Sequence, residues 1–213
     1  TAHLRTIPWH WRILLKCAVF HKCAVFSYVP STISGTVYDE LVIDGVVGAG
    51  EGPLAGAIIT LTAPGFSEQV TTTGDGTYEF DELEADTYVV NIIPPANHGA
   101  GSAVAGTIGA VVDAEDQITV ILPQSSDSED NNFFTYEQAS ISGVIYEDGG
   151  ADGVEEASAP PILGVVLSLY TCDDVFITST ASAADGSYAF GGLDPRVNYS
   201  IRYSNVPANF EIS

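Results

Sequence analysis

Methionine is absent from all 213 residues, and lysine occurs only twice, at Lys16 and Lys22. The lack of Met at position 1 implies a chain that begins after processing or inside a longer protein. The shortage of cations excludes more. Beyond residue 22 the basic side chains are Arg196 and Arg202, against 28 Asp and Glu, a formal charge of −26 for that part of the chain. Such a surface repels phosphate backbones, so nucleic acid is not an expected partner. It suits cations, a basic partner, or a saline or acidic medium, and it also keeps a solvated surface soluble.

Other absences narrow the class further. No run of roughly 18 apolar residues occurs, so no membrane-spanning helix is expected. No long amphipathic helix can be read, and hence no Gly-rich phosphate loop between a strand and a helix. Cys17, Cys23 and Cys172 lack zinc-type spacing. On an extended strand Cys17 and Cys23 stand about 20 Å apart, too far to pair with each other. Either could meet Cys172, and free buried thiols are the expectation. His98 is the one histidine beyond residue 21, expected as a solvated loop residue. A Ser/His/Asp triad has no partners to place, so no enzyme is expected.

What the chain does contain is one stretch twice. Ile33-Ser34-Gly35-Thr36-Val37-Tyr38, an Asp/Gly loop and Pro53 to Leu61 return as Ile141-Ser142-Gly143-Val144-Ile145-Tyr146, a second loop and Pro161 to Leu169. The offset is 108 residues at both ends (33 to 141, 61 to 169), and Asp44-Gly45-Val46 falls on Asp152-Gly153-Val154. Self-similarity at this period means tandem domains, each with its own core. Alternating Val/Ile/Thr/Tyr segments cut by Gly, Pro and Asp indicate all-β sandwiches. Residues 31–138 form repeat 1 and residues 139–213 repeat 2, after an N-terminal segment over 1–30.

In repeat 1 the pattern points Ala57, Ile59 and Leu61 one way, and Tyr88, Val90 and Ile92 likewise. Gly74-Asp75-Gly76 reads as a hairpin turn between Val70–Thr73 and Tyr78–Phe80. Further strands are expected over 107–112, 117–122 and 133–136, with acidic 125–132 as a mobile surface loop. In repeat 2 the inward set is Val165, Leu167 and Leu169, then Tyr188 and Phe190, then Tyr199, Ile201 and Tyr203. Nothing there corresponds to residues 107–136, so repeat 2 is short of strands.

The N-terminal segment carries no acid and duplicates Lys16-Cys17-Ala18-Val19-Phe20 as Lys22-Cys23-Ala24-Val25-Phe26. A period of six is even, so as a strand it repeats the same face. Apolar groups fall on both faces, as on a strand covered from two sides. A signal peptide and an irregularity of the sequence are the alternatives.

Ile-Ser-Gly-x-x-Tyr, an acidic loop, Pro-x-x-Gly, an alternating strand, Asp-Gly-x-Tyr-x-Phe-x-x-Leu and a closing Tyr strand resemble the B-type repeats of Gram-positive surface adhesins. These are the serine-aspartate repeat B domains and the related collagen-adhesin B domains, and the similarity covers about 31–213. It implies a prealbumin-like sandwich serving as a stalk or structural module outside the cell, without enzymatic activity. It also implies calcium in the acidic loop, which needs six to eight oxygens from closely spaced carboxylates and carbonyls. Repeat 2 offers Glu147, Asp148, Asp152, Glu155 and Glu156; repeat 1 offers the sparser Asp39, Glu40, Asp44 and Glu51. The Lys–Asn cross-link of some relatives cannot form within either repeat, since neither holds a lysine.

The sequence therefore predicts an extracellular structural protein of two tandem sandwiches. Its main reading is a filament subunit joined head-to-tail to copies of itself by strand donation, through Lys16, Val19, Phe20, Lys22, Val25 and Phe26 of the surplus strand. The alternatives are a stalk segment of a long cell-surface adhesin and a carbohydrate-binding module.

Overall fold

The structure is a computed structural model, described here for residues 29–42, 44–150 and 159–208. All regular elements among these residues are strands. Repeat 1 begins with β1 (Ser31–Glu40), β2 (Gly52–Pro53), β3 (Ile58–Ala63), β4 (Phe66–Thr71), β5 (Thr77–Leu83) and β6 (Asp86–Ile93). It continues with β7 (His98–Val104), β8 (Ala110–Ala114), β9 (Gln117–Leu122), β10 (Asp127–Ser128) and β11 (Asn132–Glu137). Repeat 2 holds β12 (Ala139–Val144), β13 (Val166–Thr171), β14 (Phe176–Ala181), β15 (Ser187–Leu193) and β16 (Tyr199–Ser204).

Two sheets make repeat 1. One is six-stranded around β1, which pairs in parallel with β10 and β11 and antiparallel with β2 and β5, while β7 borders β11. The other runs β4-β3-β6-β9-β8, antiparallel throughout. Strand side chains alternate between faces, and the inner faces bury Ile33, Val37, Ile59, Leu61, Phe80, Val90, Ile118, Val120 and Phe133 in one cluster. Ala57, Tyr88 and Ile92 join them, as the alternation predicts.

Repeat 2 reproduces half of this. Its sheets are β12-β15 and β14-β13-β16. The registers match: Ile33 lies opposite Phe80 and Ile141 opposite Phe190, both after a β-bulge. The turns match as well. Val37 N donates to Gly76 O and Ile145 N to Gly186 O, each at 2.9 Å. Gly76 and Gly186 have φ of +69° and +76°, and a Cβ there would meet the carbonyl oxygens of Val37 and Ile145 at 2.5 and 2.3 Å. Only glycine fits both constraints.

Four expectations need correction. Thr73–Thr77 is not a hairpin: β4 pairs with β3 and β5 with β1, so the turn is a corner between sheets. Residues 125–132 are not a free loop. β10 pairs with β1, and Asn131, wholly buried, gives its amide to Ser34 O and Ser128 O. The segment from His98 to Val104 is a strand although its small residues read as loop, and β8 begins three residues later than the expected 107. Tyr203 is 54% exposed, with Tyr199, Ile201 and Tyr188 only half-buried. Their counterparts Tyr88, Val90, Ile92 and Tyr78 are buried because β9 and β11 cover them, and repeat 2 has no such strands among its described residues.

Candidate functional site

Three places were open to chemistry from the sequence: the acidic loops, the histidine and cysteine, and the surfaces between elements. The repeat 1 loop follows β1 and folds back on its own carboxylates. Glu51 accepts from Leu41 N and Val42 N through Oε1 at 3.0 and 2.8 Å, and from Gly48 N through Oε2 at 2.5 Å. Those amides hold its carboxyl below the ordinary range, Val42 first. Glu40 Oε1 accepts from Gly45 N at 2.7 Å and Asp44 Oδ1 from Val46 N at 2.9 Å.

Four carboxylate oxygens of the loop thus accept from backbone N–H groups, while Asp39 Oδ1 and Glu40 Oε2 are buried without a hydrogen-bond partner. Among the described residues no three His, Cys, Asp or Glu side chains form a group that could hold a metal ion. Glu40 is buried, its Oε2 lacks a hydrogen-bond partner, and desolvation pushes its carboxyl up despite the Gly45 amide.

In repeat 2 Glu147 is exposed and Asp148 half-buried, with Gly150 N donating to Asp148 Oδ1 at 3.1 Å. Asp152, Glu155 and Glu156 lie outside the described residues, as do Lys16, Val19, Phe20, Lys22, Val25 and Phe26.

His98 opens β7 instead of standing in solvent. Its side chain is 18% exposed, with Nε2 3.6 Å from Asp39 Oδ1. Cys172 is free and exposed just past β13, so the expectation of a buried thiol is corrected for it. No helix among the described residues is long and apolar enough to cross a membrane.

The densest polar site was not foreseen, and it joins the two repeats. The turn between β15 and β16 carries Arg196, whose Nε and Nη2 donate to Asp194 at 2.7–3.0 Å. Its Nη1 reaches Gly101 O on β7 at 3.1 Å and Glu115 Oε1 at 2.9 Å, and Nη2 reaches Glu115 Oε2 at 3.3 Å. Cζ stands 4.9 Å from the centroid of the Tyr136 ring on β11. Arg196 first of all holds the Asp194 carboxyl below its ordinary range. The only sequence signal was scarcity, one of two cations beyond residue 22 in an acidic chain.

Two tandem sandwiches built from one repeated unit with acidic loops are similar to the B-type repeat modules of Gram-positive cell-surface adhesins. Residues 139–213 match the family described as the SdrD B-like domain. The Staphylococcus aureus serine-aspartate repeat-containing protein E (strain Mu50) is 32% identical over 184 residues, 84% of this chain and 16% of that protein. The bone sialoprotein-binding protein of S. aureus strain MRSA252 is 30% identical over 183 residues, again 84% and 16%. The chain thus spans about a sixth of the curated relatives it matches. Among solved structures, a streptococcal ancillary pilin aligns at TM-score 0.43 and 11% identity, over 89% of this chain and 57% of that one. The minor pilin GBS52 of Streptococcus agalactiae aligns at TM-score 0.39 and 13% identity, over 86% and 87%. The class is non-enzymatic and its modules stand at the cell surface.

Proposed function

We propose that the two repeats are a spacer in the stalk of a long cell-surface adhesin, holding a distant binding region away from the wall. The observation that carries this is the coverage: the similarity runs over 84% of this chain and only 16% of the relative. A segment of that size, built of one unit twice, suits reach better than recognition. A direct test deletes the matching segment from the S. aureus protein E and couples the products to beads. Ligand capture in free solution should be unchanged, and capture by crowded beads should fall. Lost capture in free solution would instead make the repeats part of the binding site.

A second reading is favoured by one feature. Among the described residues β16 pairs only with β13 and β12 only with β15, whereas their counterparts β6 and β1 are also paired to β9 and β11. An added strand fits those free edges. In the filament reading residues 15–29 of another copy supply it, with Lys16 and Lys22 drawn to the acidic neighbour. Deleting residues 1–29 should then leave soluble monomers, and fibres from the deleted chain would end this reading.

Calcium stands as a proposal, for repeat 2 through Glu147, Asp148, Asp152, Glu155 and Glu156 and more weakly for repeat 1 through Asp39, Glu40, Asp44 and Glu51. Ligand at 100 times its dissociation constant adds about 2.7 kcal/mol. Absence of both heat and a melting shift on calcium addition would remove it.

A further inference from the structure

We infer that Arg196 is a clasp that fixes the angle between the two sandwiches. The connection itself is minimal. β11 ends at Glu137 and β12 begins at Ala139, so Gln138 alone lies between them, and its N–H donates to Asn97 O at 2.7 Å. One residue limits the swing of the repeats without setting it.

The guanidinium sets it. Its planar fork uses Nε, Nη1 and Nη2 at once: Asp194 on its own turn, and Glu115 and the Gly101 carbonyl on repeat 1. The Tyr136 ring, buried on repeat 1, closes the face. A lone exposed ion pair contributes little, but a forked network over an aromatic ring is stronger and directional. Arg196 is 32% exposed, so the contact is partly shielded from water. Without it, Asp194 and Glu115 would face each other across the junction as like charges.

A turn at this place does not require an arginine. The counterpart turn in repeat 1, Glu84-Ala85-Asp86-Thr87, is one residue shorter and has no cation, yet Tyr88 Oη donates to Glu84 O at 3.0 Å, four positions back, as Tyr199 Oη donates to Asp194 O at 3.1 Å, five positions back. A tyrosine-to-turn bond thus forms without a cation. What Arg196 adds is its reach to the neighbouring repeat. Arg202, the other described cation, stays within repeat 2, paired with Asp174 and lying 4.3 Å from the Tyr170 ring centroid.

The clasp deepens the spacer reading and rests on it only for its purpose, because the angle can be measured without reference to adhesion. The full chain, with Cys17 and Cys23 changed to Ser, is spin-labelled at exposed Cys172 and at Glu68→Cys on edge strand β4. Pulsed electron resonance should give one narrow distance. Arg196→Ala should broaden it severalfold, Glu115→Gln should broaden it less, and Arg202→Ala should leave it unchanged. Circular dichroism melting identifies any variant that fails to fold. Glu115→Ala, altered only on the repeat 1 side, keeps the test decisive if Arg196→Ala does. A distribution as narrow as wild type in folded Arg196→Ala, or in Glu115→Ala, overturns the clasp.

Discussion

Tyr78 donates its phenolic hydrogen to the carbonyl oxygen of Asn131 at 2.5 Å, across 53 residues of sequence. The hydroxyl is buried and desolvation pushes its pKa far up, so it stays a donor at any ordinary pH. Its counterpart Tyr188 makes the same edge contact with Phe190, centroids 6.0 Å apart, as Tyr78 makes with Phe80 at 6.1 Å. Yet repeat 2 has no counterpart of Asn131 among its described residues. Among the described residues, repeat 1 has the covering strands β9 and β11, and repeat 2, built from the same motif, has no counterpart of them.

Tyr78→Phe strips the Asn131 carbonyl of its buried donor and should cost about 1–3 kcal/mol. Tyr188→Phe should change stability by less than about 0.5 kcal/mol. Chemical denaturation of each variant measures both, and equal losses would show that the Tyr78 bond to Asn131 adds nothing beyond what Tyr188 has.

A second pair should behave alike in both repeats. Thr72 Oγ1 donates to Leu54 O at 2.8 Å and accepts from Ala57 N at 3.0 Å; Ser182 Oγ donates to Ile162 O at 2.7 Å and accepts from Val165 N at 3.1 Å. Both hydroxyls are buried and clip the start of the inner strand to the corner. Thr72→Val and Ser182→Ala each leave two backbone groups unpaired and should cost about 2–4 kcal/mol. Melting curves that do not move would show the clip to be dispensable.

Core size differs between the repeats, and truncation should expose it. Among the described residues Phe80 sits in a cluster of fifteen buried residues and Phe190 in one of four. Phe80→Ala should cost about 3–5 kcal/mol. Phe190→Ala should cost less, because a half-open core collapses or hydrates around the gap. The reverse order would mean that repeat 2 is covered.

The pH dependence has two opposed parts. Glu51, Asp75, Asp185 and Asp194 have lowered folded pKa values, from backbone amides at Glu51, hydroxyls of Thr73 and Ser187 at Asp75 and Asp185, and Arg196 at Asp194. Their contribution is present above the unfolded carboxylate range and is lost as pH falls through the folded values. Glu40 is raised by burial, so its charged form opposes folding and protonation relieves the cost. Glu40→Gln should therefore raise the melting temperature at pH 7, and the gain should shrink as pH falls toward the raised value. A gain that does not depend on pH would contradict this origin.

Much of the repeat was legible because strands advertise period two: Ala57, Ile59 and Leu61, and Val165, Leu167 and Leu169, are buried as the alternation requires. Gly76 and Gly186 were legible as turns, though not as corners, since local sequence does not say which sheet the next strand joins. β7 escaped because its Gly99-Ala100-Gly101-Ser102-Ala103 offers no alternation; its small residues let the Tyr136 ring lie where a Cβ on Gly99 would come within 2.4 Å. Asn131 looked like one residue of an acidic loop, and its burial depends on the Ser34 carbonyl, 97 positions away. The Arg196 site depends on Glu115, 81 positions away, which no local pattern reveals.

The central claim is that this segment supplies reach and no recognition. Its most direct test replaces the matching segment of the S. aureus protein E with residues 31–213 of this chain, or with unrelated sandwiches of equal length, on ligand-capturing beads. The account predicts that both replacements restore capture to crowded beads equally. Restoration by residues 31–213 alone would contradict it and assign binding to the repeats themselves.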